Sequence, residues 1–155
     1  MNKVGKLLIA GLLCFAAGGL GSLATISNIP TWYAALEKPF FNPPNWIFGP
    51  VWTVLYVLMA ASLYIVWTKY YKGSKKRAFA AFVVQLVLNA LWSLVFFGLH
   101  APWAGVVVIV ALLASIVATM KLFWPISRPA VCLLVPYVLW VGFATALNIA
   151  IALLN

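Results

Sequence analysis

The chain contains no aspartate and a single glutamate, Glu37, against ten lysines and arginines in 155 residues. Paired-carboxylate catalysis, carboxylate cages for hard cations and carboxylate proton relays are therefore excluded within one chain, because each needs several acidic groups. Histidine is as scarce: His100 is alone. Without an acidic or second imidazole partner it builds neither a catalytic triad nor a two-histidine metal site. An axial haem contact is the one metal-related role left to it, beside the simpler reading as a polar residue at a span end. Cys14 and Cys132 both lie in apolar runs, where a thiol behaves as a small hydrophobe, and two isolated cysteines form no disulfide framework or metal spacing. Charge as a whole is sparse, at 7% of residues, where soluble domains carry about 25%.

What replaces charge is apolar surface, 66% of the residues. A helix needs about 20 apolar residues to cross about 30 Å of hydrocarbon, and five segments reach that length: Leu7 to Ile26, Trp46 to Thr68, Ala78 to Leu99, Ala104 to Phe123 and Ala130 to Leu154. The sequence thus predicts an all-α integral membrane protein, one domain over 1–155, with five transmembrane helices. The first run is longer than the apolar core of a signal peptide and is read as a span.

The placement of the basic residues predicts orientation. Lys3 and Lys6, the cluster Lys69, Lys72, Lys75, Lys76 and Arg77, and the pair Lys121 and Arg128 fall on one side of a five-span chain, and only Lys38 falls on the other. By the positive-inside bias the N-terminus is inside and the C-terminus outside. The Lys72 to Arg77 run reads as a topology signal in contact with anionic headgroups of membrane lipid, and no nucleic-acid partner is expected. The bacterial cytoplasmic membrane is the expected location, with a bacterial or mitochondrial outer membrane as the alternative.

One connection is long. Residues 28–45 carry Pro30, Trp32, Tyr33, Leu36, Pro39, Phe40 and Phe41, too apolar a set for a loop immersed in water, so this loop is expected to fold over the bundle as a lid. Asn42 is expected to cap the second helix, with Pro43 in its first turn. Glu37 and Lys38 are expected to hold the lid closed. Pro136 removes a backbone bond to the Cys132 carbonyl and predicts a kink or a locally widened fifth helix. Small residues at Ala10, Cys14, Gly18, Ser22 and Thr25, and again at Ala111, Ser115 and Thr119, permit close helix approach within one chain or between two, so a homodimer is one arrangement they allow.

Polar chemistry inside the spans is confined to amides and aromatics. Gln85, Asn89, Trp92 and Phe96 share one face of the third helix, Tyr137, Trp140, Ala144 and Asn148 one face of the fifth, and Trp52, Tyr56 and Met59 one face of the second. Unpaired amides in hydrocarbon must find another helix or a ligand, so these faces are expected either to converge on one cavity or to act as interhelical glue. Trp46, Trp67, Trp103 and Trp124 lie near span ends and read as an interfacial belt.

The motifs Trp32-Tyr33-x-x-Leu36-x-Lys38-Pro39, Asn42-Pro43-Pro44-x-Trp46-x-Phe48-x-x-x-Trp52-x-x-Leu55-Tyr56, Gln85-x-x-x-Asn89-x-x-Trp92 and Val135-Pro136-Tyr137-x-x-Trp140 together resemble the TspO/MBR family of tryptophan-rich sensory and translocator proteins, over almost the whole chain. The resemblance implies a five-helix bundle, often dimeric, whose cavity is lidded by the first loop. It also implies a receptor or carrier for porphyrins, protoporphyrin IX or haem, which also takes isoquinoline-carboxamide and benzodiazepine-type ligands. No cofactor is obligatory and no metal is implied. Carried over by motif, the ligand site would comprise Trp32, Tyr33, Trp52, Tyr56, Asn89, Trp92, Trp140, Ala144 and Asn148. A light- and oxygen-dependent breakdown of porphyrin, with Trp52 and Trp140 as the catalytic residues, is the alternative the resemblance carries. Two departures stand out: Phe40 and Phe41 occupy positions where relatives often place tryptophan, and the basic residue of the sterol-binding relatives is missing after Asn148, which leaves sterol binding doubtful. Ion-coupled transport is disfavoured, since no span carries a carboxylate or histidine.

Overall fold

The computed structural model describes residues 2–155. Five long helices account for most of them: α1 (Lys3–Thr25), α2 (Phe48–Thr68), α3 (Lys76–Ser93), α4 (Pro102–Phe123) and α5 (Arg128–Leu154). Each is long and apolar enough to cross a membrane, so the chain is an integral multi-pass membrane protein. Four of the helices, α1, α3, α4 and α5, start a few residues before the expected apolar runs. Asn2 Oδ1 accepts from the Gly5 N–H at 2.8 Å and opens α1 at Lys3 rather than Leu7. Pro102 in the first turn of α4 costs no bond there. Ser127 caps α5, which carries Pro129 in its own first turn.

The helices pack as a closed ring in the order α1, α2, α5, α4, α3 and back to α1. The seam of α1 is built from Ala10, Cys14, Ala17 and Gly21; of the expected small-residue stripe, Ala10 and Cys14 lie in that seam, and Gly18, Ser22 and Thr25 are only partly buried. Ser62 Oγ donates to the Ala130 carbonyl at 2.7 Å, and Phe82 stacks on Phe123 at 5.8 Å between centroids. These contacts lock the end of the ring that carries the basic cluster. There Lys75 Nζ reaches back to the Val66 carbonyl at 2.8 Å and to those of Trp67 and Lys69, closing the carbonyl end of α2 with a cation. Partial burial, with the Lys6 charge nearby, holds the Lys75 ammonium below the usual lysine range. Trp46, Trp103 and Trp124 are exposed on the outside of the bundle, and Arg128 lies 5.3 Å over the Trp124 ring.

One expectation about helix geometry is corrected. Asn42 does not cap α2. The chain stays extended through Pro44 and turns as a short 3₁₀ segment, Asn45–Ile47, before α2 begins at Phe48; Asn42 Oδ1 instead accepts from the Tyr33 hydroxyl at 2.6 Å. The fifth helix runs on through Pro136 as one element. Widened backbone occurs elsewhere, as π-turns at Ile29–Tyr33 and Leu94–Gly98. The second continues α3, and both Phe96 and Phe97 are buried within it.

The first loop lies against the bundle end opposite the basic cluster. Tyr33 is buried among Phe48, Phe96 and Phe97. Its hydroxyl must be protonated to donate to Asn42, and burial pushes the phenol up to about 12, so the donor persists across the neutral range. Lys38 Nζ bonds the Ala34 and Leu36 carbonyls and lies 5.2 Å from the Tyr33 ring centroid. Glu37 contributes through its main chain rather than its charge: its N–H donates to Asn155 Oδ1 and its carbonyl accepts from Asn155 Nδ2, both at 3.0 Å. A second tie comes from His100, at positive φ (52°) in the turn before α4. That backbone, unusual for a residue with a side chain, lays the imidazole flat on Trp32 at 4.6 Å and brings Nε2 within 2.8 Å of Asn28 Oδ1.

Candidate functional site

The centre of the ring is filled by a hydrogen-bonded line of side chains from three helices. The Tyr56 hydroxyl donates to Asn89 Oδ1 at 2.7 Å, Asn89 Nδ2 donates to the Tyr137 hydroxyl at 3.0 Å, and that hydroxyl donates to Gln85 Oε1 at 2.8 Å. A separate bond runs from the Trp92 indole N–H to Asn148 Oδ1 at 3.0 Å, while Asn148 Nδ2 donates to the Pro102 carbonyl at the start of α4. Asn89 and Asn148 therefore join helices, and Gln85 Nε2 is the buried side-chain polar atom left without a partner among the described residues. Buried amides are costly alone, and here all but that one donor are matched.

Beside this line is a cleft of about 430 Å³. Its inner wall is aromatic: Trp52, Tyr56, Trp92 and Phe97, with Phe48 toward the first loop. Trp52 stacks on Tyr56 at 5.7 Å and sits 6.3 Å from Trp92, so the three rings form one continuous surface. The opposite wall is α1, whose Gly18, Gly21 and Ser22 contribute almost no side-chain bulk. Among the described residues, no charged side chain lines the cleft. Three of its hydroxyls are occupied as donors, since Ser22, Thr25 and Thr53 bond the carbonyls of Gly19, Gly21 and Gly49 in their own helices, while Asn45 and Ser93 add an amide and a further hydroxyl to the lining. The arrangement can hold a flat apolar molecule against indole and phenol faces, with Asn45 and Ser93 as polar points at its edge.

The residues singled out from the sequence are only partly brought together. Trp52, Tyr56 and Trp92 share the cleft. Asn89 lies directly behind it, bonded to Tyr56. Trp32 and Tyr33 close the loop end through Phe96 and Phe97 without lining the cleft. Ala144 and Asn148 are buried in the α5 seam. Trp140 lies apart, packed on Phe48 at 6.2 Å and Phe143 at 5.4 Å in a shallow outer groove between α2 and α5. The sequence reading missed the share of α1, because Phe15, Gly18 and Ser22 look like packing positions; the run of glycines at 18, 19 and 21 was the available signal.

The comparisons agree with this architecture. The model of the TspO/MBR family matches residues 10–154. A tryptophan-rich protein TspO of Archaeoglobus fulgidus is 47% identical over 150 residues, 97% of each chain. A tryptophan-rich sensory protein of Cereibacter sphaeroides is 36% identical, covering 90% of this chain and 87% of its own length. The translocator protein of Bos taurus is 37% identical, with 88% of this chain and 82% of that protein aligned.

Proposed function

The chain belongs to the TspO/MBR family, which makes it a membrane protein of receptor or transporter type, and from that premise we propose that it binds porphyrins such as protoporphyrin IX in the cleft between α1, α2 and α3. Isoquinoline-carboxamide and benzodiazepine-type ligands would use the same surface, and the role would be tetrapyrrole sensing, transport or regulation. The supporting observation is the uncharged aromatic wall of Trp52, Tyr56 and Trp92 facing a glycine-rich α1. A planar macrocycle finds stacking partners there, while its carboxylates, for which the cleft has no counter-charge, project outward. The separation of the basic residues supports an orientation with the N-terminus on the cytoplasmic side, most simply in a bacterial cytoplasmic membrane.

Titrating protoporphyrin IX into the detergent-purified protein and following tryptophan fluorescence tests this. Trp52→Ala is expected to weaken binding about tenfold, equivalent to about 1.4 kcal/mol, because it removes the central ring of the three. An unchanged dissociation constant in that variant would exclude the cleft as the site.

The second reading, oxidative breakdown of porphyrin under light by Trp52 and Trp140, is supported at only one of its two residues. Trp52 faces the cleft, and Trp140 is on the far side of α2. Under illumination with protoporphyrin IX, Trp52→Phe is expected to slow loss of the porphyrin absorbance and Trp140→Phe to leave it near the wild-type rate. Equal rates in both variants, in wild type and in free porphyrin would remove the catalytic reading.

A further inference from the structure

The cleft is not enclosed on every side. Gly19, Gly49 and Thr53 line it and are also exposed on the outside of the bundle, as is Phe15, at 47%. All four belong to α1 and α2, two of the helices long and apolar enough to span the bilayer, with Phe15 and Gly19 well inside α1 and Gly49 at the start of α2, so the gap runs from the apolar part of the spans toward their first-loop end. A methyl group added at Gly19 or at Gly49 would meet nothing within 4 Å. The two glycines therefore leave open space on the two helices that border the gap.

Below this gap the helices meet closely, and above it the first loop is tied down. Toward the basic end, Gly18 lies so close to Tyr56 that an added Cβ would fall 2.5 Å from the ring, which seals α1 against α2. Toward the first loop, Tyr33 is buried and bonded to Asn42, and Trp32 is held by His100. The first loop is thus tied down over the bundle end, with the exposed Ile26 and Asn45 forming the loop-side rim of the cleft, whereas the lateral route is bordered by glycine and carries no charge.

We infer that flat apolar molecules dissolved in the bilayer reach the cleft sideways, through a window between the first-loop halves of α1 and α2 bordered by Gly19 and Gly49, rather than past the first loop. The identity of the molecule rests on the porphyrin reading above; the window does not. Apolar solutes concentrate in the hydrocarbon before they meet the protein, and an uncharged opening at that depth asks for no desolvation of ionic groups on the way in. Trp52 stands directly behind the window and reports on it.

Reconstitution into phosphatidylcholine vesicles with brominated acyl chains tests the opening without any ligand. Bromine quenches indoles on contact, so the part of the fluorescence lost on Trp52→Phe is expected to be quenched in the wild type and protected in the Gly19→Leu/Gly49→Leu variant, whose new side chains extend into open space. A Trp52 component that brominated lipid leaves untouched in the wild type would overturn the window, as would equal quenching after the leucine substitutions. A second arm mixes vesicles preloaded with protoporphyrin IX with vesicles holding the protein. The leucine variant is expected to bind at least about tenfold more slowly, while His100→Ala, which unties the first loop, keeps the wild-type rate within about twofold. The reverse pattern would place the route at the loop. Failure of protoporphyrin IX to bind the wild type would refute the porphyrin reading, and the bromine arm would still decide the window.

Discussion

Asn89→Leu is expected to destabilise the bundle by about 2 kcal/mol, the cost of leaving one buried hydroxyl without a partner and removing a second bond. Leucine has nearly the shape of asparagine, so the surrounding packing survives and the loss reports on hydrogen bonding. Asn89 both accepts from Tyr56 and donates to Tyr137, and Tyr137 retains Gln85 as an acceptor while Tyr56 retains nothing. The cost should therefore fall on Tyr56. Adding Tyr56→Phe to Asn89→Leu is expected to recover about half of it, since the orphaned hydroxyl is gone. Unfolding in a mixed-detergent titration, run as a double-mutant cycle, measures the coupling; strictly additive effects would show that the line of bonds across the ring does not act as a unit.

Gly18→Ala is expected to have a comparable effect by a different route. The new methyl would sit 2.5 Å from Cε2 of Tyr56 and 2.9 Å from two further ring atoms. The ring cannot swing away freely, because Trp52 stacks on it and its hydroxyl is bonded to Asn89. Either α1 retreats or the phenol leaves its partner, and overpacking of this kind costs about 1–3 kcal/mol. Because Gly18 and Tyr56 both line the cleft, ligand affinity is expected to fall at least about tenfold alongside stability. Gly11→Ala is the control: an added Cβ there has nothing within 4 Å, and it should be neutral or slightly stabilising, as alanine usually is in a helix. Thermal unfolding of the two variants side by side distinguishes them; equal behaviour would mean that α1 is loosely seated.

The spans were legible in the sequence because hydropathy is summed over twenty residues and tolerates local error. Cap positions were not, because they turn on one side chain. Asn42 has the right chemistry for an N-cap, yet Tyr33 offers it a buried phenol, and the tertiary bond wins over the local one. The π-turn at Leu94–Gly98 has no proline or glycine-serine pair inside it to announce it in the sequence. At the site, helical spacing correctly grouped Trp52 with Tyr56 and placed Asn89 near Trp92. Spacing cannot say which neighbour a face meets, however, and so it joined Trp140 to a cleft from which α2 separates it. The part of α1 escaped notice because glycine shapes a site by what it leaves empty.

The hydroxyls of Ser22, Thr25 and Thr53 have a consequence for selectivity. Each donates its proton to a carbonyl one turn back in its own helix, so side chains that look polar in the sequence behave toward a guest much as valine or alanine would. Most of the cleft is then closer to a shaped droplet of solvent than to a set of hydrogen-bonding contacts, with Asn45 and Ser93 as the polar points of its lining. Across a series of flat ligands, affinity will follow how readily each leaves water for lipid, and discrimination between equally lipophilic ones will come from thickness and outline.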